Sequence, residues 1–96
     1  MGTSNLIVNS EQRRFELHID GNIAVIDYRL KDGIMQLIHT EVPQALEGQG
    51  YGKAIVEKTL TYIRDQGYKL IPLCSFVAAY LQRHPEWNKI LADGLK

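Results

Sequence analysis

The apolar residues first fall into a pattern at "RRFELHID", where Phe15, Leu17 and Ile19 alternate with polar neighbours. A period of two marks a strand with one buried face. "DGN" at 20–22 carries hairpin-turn chemistry, and "IAVIDYRL" resumes the strand composition with Ile23, Val25, Tyr28 and Leu30. "KDG" at 31–33 reads as a second tight turn. "IMQLIHTEV" then forms a third strand with Ile34, Leu37 and Ile38 apolar, stopped by Pro43, which cannot donate to a ladder. Residues 1–5 read as a loose polar start.

Beyond Gly50 the spacing changes. Ile55, Val56, Thr59, Leu60, Tyr62 and Ile63 recur at intervals of three and four, one face of a helix. Gly67 stands where a helix C-cap belongs. "YKLIPLC" at 68–74 is a further strand, and a helix between two strands predicts a parallel crossover to the third. Ser75 is placed to cap the next helix, "FVAAYLQR". His84-Pro85 breaks that helix, and "PEWNKILA" restarts one with proline at its first position until Gly94. The order β-β-β-α-β-α-α describes a single α/β domain over 1–96, with helices packed on a small sheet that mixes antiparallel and parallel strands.

Composition narrows the class. The chain has 96 residues, and its eleven basic and eleven acidic side chains cancel, leaving no electrostatic footprint for nucleic acid. No apolar run approaches the roughly 20 residues of a membrane span. "MGTSNLIVN" lacks the charged and apolar regions of a secretory signal, and Leu6 stands where a myristoylation signal wants Ser or Thr. A single cysteine forms no internal disulfide and fits a reducing cytoplasm. An exposed sheet edge leaves a monomer or a weak dimer as the expectation. His18, His39, Cys74 and His84 show no metal-ligand spacing, and no G-x-S-x-G elbow is present.

The candidate chemistry lies in "ALEGQGYGKAIVE", residues 45–57. Gly48, Gly50 and Gly52 occupy alternate positions before a helix, followed by Lys53. A cation at that end of a helix is mildly unfavourable, because the exposed N–H groups already carry about half a positive charge there. Bare N–H groups and a lysine suit a phosphate. The Walker pattern is excluded by Ala54 after Gly52-Lys53 and by Glu47 where its first glycine belongs. The dinucleotide pattern is excluded by Lys53 in its third glycine's place. The alternative is a flexible loop making a tight helix–sheet contact.

The stretch from Ile38 to Trp87 resembles the small, single-domain branch of the GCN5-related N-acetyltransferases. Glu47-Gly48-Gln49-Gly50-Tyr51-Gly52 falls on that superfamily's [Gln/Arg]-x-x-G-x-[Gly/Ala] loop, with Glu47 departing from it. Pro72-Leu73-Cys74, the Phe76 that follows and His84-Pro85 match the reduced branch. The resemblance implies acetyl-CoA as cofactor and an amine acceptor, with direct attack of the amine on the thioester. The loop from Glu47 through Gly48, Gln49, Gly50, Tyr51 and Gly52, with Lys53, would hold the pyrophosphate. Thr40, Glu41 and Val42 would flank the pantetheine arm in a gap between the third and fourth strands. Cys74 would close the gap's end, and Phe76, Tyr80 and Arg83 would add to the pocket.

Three roles are open to Cys74: an acyl carrier, a thiol lining the acetyl site, or a small buried hydrophobe. Glu41 is the leading general base. His39 lies two residues away, on the same face of a regular strand, although a bulge between them would break that parity. Tyr80 is a pocket residue with an acid role open to it. Arg83 meets a CoA phosphate or remains a surface charge. The competing class is a non-catalytic CoA-binding module that serves a partner.

Overall fold

The computed structural model describes residues 5–94. Apart from Asn5, the loose start expected for residues 1–5 lies outside the described residues. Four strands form an antiparallel meander: β1 (Leu6–Asn9), β2 (Arg14–Ile19), β3 (Asn22–Lys31) and β4 (Ile34–Glu41). A 3₁₀ turn at Gln44–Leu46 leads into α1 (Tyr51–Gln66). Then come β5 (Lys69–Pro72), α2 (Ser75–Arg83) and a 3₁₀ helix at Pro85–Ile90. The five strands lie side by side in sequence order, with β5 parallel to β4.

Three expectations are corrected. Strand β1 was not read from the sequence: four residues, with only Leu6 and Val8 turned toward the core, are too short for alternation to register. The last helix is 3₁₀ rather than α, because Leu91 is drawn into a parallel bridge with Leu70 and Ala92 N–H donates to Leu70 O at 2.9 Å. Ser75 is not the cap of α2. Cys74 holds that position in extended conformation, and Ser75 is the first helical residue.

Both turns read from the sequence are present. Asp20-Gly21 and Asp32-Gly33 each connect their strands in two residues with positive φ, the type I′ geometry that matches strand twist. Alternation then sorts the two faces. Phe15, Leu17, Ala24, Ile26, Met35, Leu37 and Leu70 point to one side and are almost fully buried. They pack against Ile55, Val56, Leu60 and Ile63 of α1 and Val77 and Leu81 of α2. Among the described residues, the other face carries no helix. No described helix is long and apolar enough to cross a membrane.

One irregularity positions the site. Asp27 stands opposite His39, but Tyr28 stands opposite Leu37, so Ile38 is an extra residue in β4. Met35 and Leu37 face the helices before the bulge, and Thr40 does so after it, opposite the fully buried Ile26. His39 and Glu41 therefore share the helix-free face. The bulge precedes both of them, so their parity survives.

The helix-free face holds a buried carboxylate. Glu16, 5% exposed, accepts from Arg14 Nε at 2.7 Å and Asn9 Nδ2 at 3.0 Å, and sits 2.8 Å from His18 Nε2. These partners, His18 and Arg14 foremost, hold its carboxyl down at about 2. A depressed carboxyl stabilises the fold above its unfolded value near 4.5 and loses that contribution as pH falls toward 2. Glu16→Gln should lower stability at pH 7 by about 1–3 kcal/mol. It should also flatten the decline in urea midpoint below pH 4.5. A variant with the wild-type acid slope would show that the cluster does not act through this carboxylate.

Candidate functional site

The site begins where β4 and β5 part. Parallel pairing runs from Ile34–Lys69 to Leu37–Pro72 and stops. Pro72 has no N–H to continue the ladder. Leu73 N–H and Cys74 N–H both turn back to Leu37 O, each at 2.9 Å. β4 runs on to Glu41 with its β5-side edge unpaired, while the other chain turns directly into α2. A wedge opens between them.

Cys74 sits at the narrow end, 8% exposed, with its Sγ 3.2 Å from Thr40 Oγ1. Burial pushes the thiol up. The Thr40 hydroxyl and the N–H groups of Val77, Phe76 and Thr40 outweigh that and hold it below its ordinary value. Two of those amides belong to the first turn of α2, whose cap position offers sulfur where a helix more often offers oxygen. The bulge at Ile38 puts Thr40 within reach. Without it, Thr40 would face the opposite side.

The wide end is the loop before α1. Leu46 N–H bonds Pro43 O, Glu47 N–H bonds Gln44 O, and Gln49 Nε2 reaches Ala45 O at 3.1 Å. The first helical bond of α1 runs from Ala54 N–H to Gly50 O. The N–H groups of Tyr51, Gly52 and Lys53 precede it and have no helical partner. No side chain caps them, and no acid stands in the first turn. Gly50 is the N-cap residue at φ +84°, the left-handed region that β-carbons disfavour. Gly52 serves a different purpose: a Cβ there would stand 2.7 Å from the ring of Phe76. Phe76 thus lies across the first turn of α1 and roofs the loop.

A hollow of about 600 Å³ joins the two ends. His39, Thr40, Glu41 and Val42 line it from β4, Glu47, Gly48 and Gly50 through Lys53 from the loop, and Phe76 from α2. Register puts the side chains of His39 and Glu41 on the helix-free face, away from the Thr40–Cys74 pair. Gln49 lies outside the lining and ties the loop to itself instead. Lys53 and Phe76 also border a second hollow of about 580 Å³, with Tyr80, Arg83 and His84. There Tyr80 stacks on His84 at 4.1 Å and donates to Glu57 Oε2 at 2.7 Å. Burial and the Glu57 carboxylate raise its hydroxyl to about 12. The proton therefore stays on Tyr80, pointed at Glu57, and the ring forms part of the wall of this hollow.

Sequence reasoning missed Leu46, a buried wall of the first hollow, and Glu57, which fixes Tyr80. Glu57 stands one helical turn beyond Lys53 on α1, a spacing that offered the signal.

The thiol's acidity is checked by the pH dependence of iodoacetamide alkylation. Thr40→Val removes the hydroxyl that favours the thiolate, so the midpoint for Cys74 should move to higher pH. An unmoved or lowered midpoint would assign the acidity to the backbone amides alone.

Comparisons with known proteins agree with this geometry. A family profile described as GCN5-related N-acetyl-transferase matches residues 14–90. Mouse protein NATD1 is 28% identical over 78 residues, covering 78% of this chain and 71% of that protein. Human N-acetyltransferase 8B is 40% identical over 53 residues, which are 55% of this chain and 23% of that protein. The NMR solution structure of a GCN5-like protein from Staphylococcus aureus superposes with a TM-score of 0.73 at 25% identity. That match spans 100% of this chain and 94% of the other. With most of its length matched by the profile and its whole fold by that structure, the chain belongs to the GCN5-related N-acetyltransferase family.

Proposed function

We propose that this chain transfers an acetyl group from acetyl-CoA to the nitrogen of an amine by direct attack. One observation carries the reading. An uncapped helix start, free of acids and flanked by Lys53, opens into a hollow that leads to the wedge holding Thr40 and Cys74. The uncapped N–H groups of Tyr51 to Lys53 suit a pyrophosphate, whose charge the helix end favours. Lys53, Arg83 and His84 around the second hollow suit the remaining phosphate of the nucleotide. The unpaired edge of β4 offers backbone groups to the amides of the pantetheine arm. Relatives named as N-acetyltransferases favour a transferase over a CoA-binding module.

Acetyl-CoA supplies the activated carbonyl. The amine lone pair forms the C–N bond, the C–S bond breaks and CoA leaves as thiolate. One proton leaves the nitrogen and one returns to sulfur. We assign the first to Glu41, with His39 beside it on the helix-free face, where an acceptor approaches without crossing the CoA hollow. Cys74 lines the acetyl end, and direct attack makes no demand on it as an acyl carrier.

Calorimetric titration tests the binding half. Acetyl-CoA and CoA should bind with micromolar affinity and ATP weakly. Gly50→Asp places a carboxylate among the loop N–H groups and should weaken acetyl-CoA by about tenfold or more. Asp tolerates left-handed backbone better than most residues, so the fold should persist. Unchanged affinity would remove the loop from the site. For the chemical half, Cys74→Ala should keep turnover within about tenfold of wild type. Abolished turnover, with an acetyl adduct on the wild-type thiol by mass spectrometry, would replace direct attack with a covalent route.

A further inference from the structure

Another hollow, of about 430 Å³, opens on the helix-free face. Arg14 lines it from β2, Ile23 and Val25 from β3 and Glu41 from β4, with Pro43 and Gln44 at its end. It is continuous with the CoA hollow, because Glu41 and Val42 line both. Glu41 also follows Thr40 directly, and the Thr40 hydroxyl meets Cys74 at the acetyl end. An amine held at Glu41 and an acetyl group held beside Thr40 are therefore one residue apart on β4, at its unpaired edge.

Two charges line this hollow, and they are of opposite sign: the Arg14 guanidinium and the Glu41 carboxylate. By register Arg14 belongs beside Asp27, but its Nε donates to Glu16 Oε2 at 2.7 Å. That bond draws the guanidinium along β2 into the row where Glu16 stands opposite Val25, and Val25 opposite Glu41. Glu16 is fixed in turn by His18 and Asn9, and it does not line the hollow itself. Among the described residues, no side chain accepts from the Arg14 Nη groups. Two strand spacings, roughly 10 Å, separate the backbones of β2 and β4. Between the two charges the floor is apolar, made by Val25 and by Ile23, which is 39% exposed.

We infer that this hollow holds the acceptor, and that the acceptor is an amine whose other end carries a carboxylate, with a short apolar chain between. The inference rests on the acetyl-transfer reading above and names the substrate class of that site. The volume is that of a small-molecule site. The ammonium pairs with Glu41, which is also the group assigned to take its proton. The carboxylate pairs with the Nη groups of Arg14, whose planar fork suits two parallel bonds. The intervening carbons cover Val25 and Ile23. A diamine would set its second ammonium against Arg14, and a simple alkylamine would leave the guanidinium unanswered.

Two measurements test this on the intact chain. Amide shift mapping with 4-aminobutyrate, without acetyl-CoA, should perturb Arg14, Val25 and Gln44. Shifts confined elsewhere, or none, would overturn the assignment whether or not acetyl-CoA binds. CoA-release kinetics then compare three amines of one chain length: 4-aminobutyrate, butylamine and 1,4-diaminobutane. The first should have the highest kcat/KM and the last the lowest. Arg14→Gln should lower kcat/KM for 4-aminobutyrate by about tenfold or more and leave butylamine near its wild-type value, a control for the fold. Gln44→Glu leaves the Arg14–Glu16 pair untouched and adds a carboxylate on the exposed turn. It should shift the 4-aminobutyrate-to-diaminobutane ratio toward the diamine by about tenfold. A wild-type preference for butylamine or the diamine, or a ratio that neither substitution moves, would overturn the carboxylate class. Absence of acetyl-CoA binding would bring down the transfer reading alone, since the shift map reports the hollow separately.

Discussion

The site depends on a single carbonyl. Leu37 O accepts Leu73 N–H and Cys74 N–H together, and so ends the parallel ladder while fixing the start of α2. Below this point β4 and β5 are ordinary sheet neighbours. Above it they cannot pair, because Pro72 lacks a donor and the two following donors are already used. One residue along β4, the bulge at Ile38 inverts the strand's facing, which sends Thr40 inward to Cys74 and His39 and Glu41 outward. The fork and the bulge lie on adjacent residues. Together they make a wedge with the Thr40–Cys74 pair on one side and the His39 imidazole and Glu41 carboxylate on the other.

The three loop glycines answer to separate demands, which alternation in the sequence disguises as one motif. Gly50 needs left-handed backbone at the cap, where the space around its missing Cβ is open. Gly52 has ordinary helical backbone, but its missing Cβ is where Phe76 sits. Glycine in a helix costs roughly 1 kcal/mol against alanine. Leaving a helix start without an oxygen cap costs only a few tenths of a kcal/mol more when the cap residue is glycine, as Gly50 is. Burial elsewhere offsets this, since Ile55, Val56, Leu60 and Ile63 of the same helix are fully enclosed. Stability is drawn from the helix's core face, and its exposed end is left uncapped.

Much of this was legible in the sequence wherever one local rule decides the outcome. Phe15, Leu17 and Ile19 fixed the inward face of β2 by period alone, Asp20-Gly21 and Asp32-Gly33 set the turns, and Gly67 ended α1. The parallel crossover followed from the element order. The illegible parts depend on long-range partners. β1 is a strand because β2 is present to pair with it. The bulge at Ile38 exists only in the register of β3 against β4. Cys74 took the cap position expected of Ser75 because its amide was committed to Leu37, thirty-seven residues upstream in the chain. Tyr80 was legible as a pocket residue, but its bond to Glu57 spans two helices and no sequence window contains it.

Two hydrogen bonds, one at the wedge and one at the second hollow, set acidities in opposite directions. At the wedge, the Thr40 hydroxyl, which accepts from the Cys74 thiol, and three neighbouring amides together favour the thiol's anion. At the second hollow, Tyr80 meets an acceptor, the Glu57 carboxylate, which favours its neutral form. Burial raises the pKa of both groups, so the difference in sign comes from the partners. A thiol lowered in this way exchanges its proton nearer neutrality than a phenol held at about 12. The lowered thiol thus stands at the Thr40–Cys74 end and the raised phenol at the Tyr80 end. That division follows from Thr40 facing inward, and hence from the extra residue in β4.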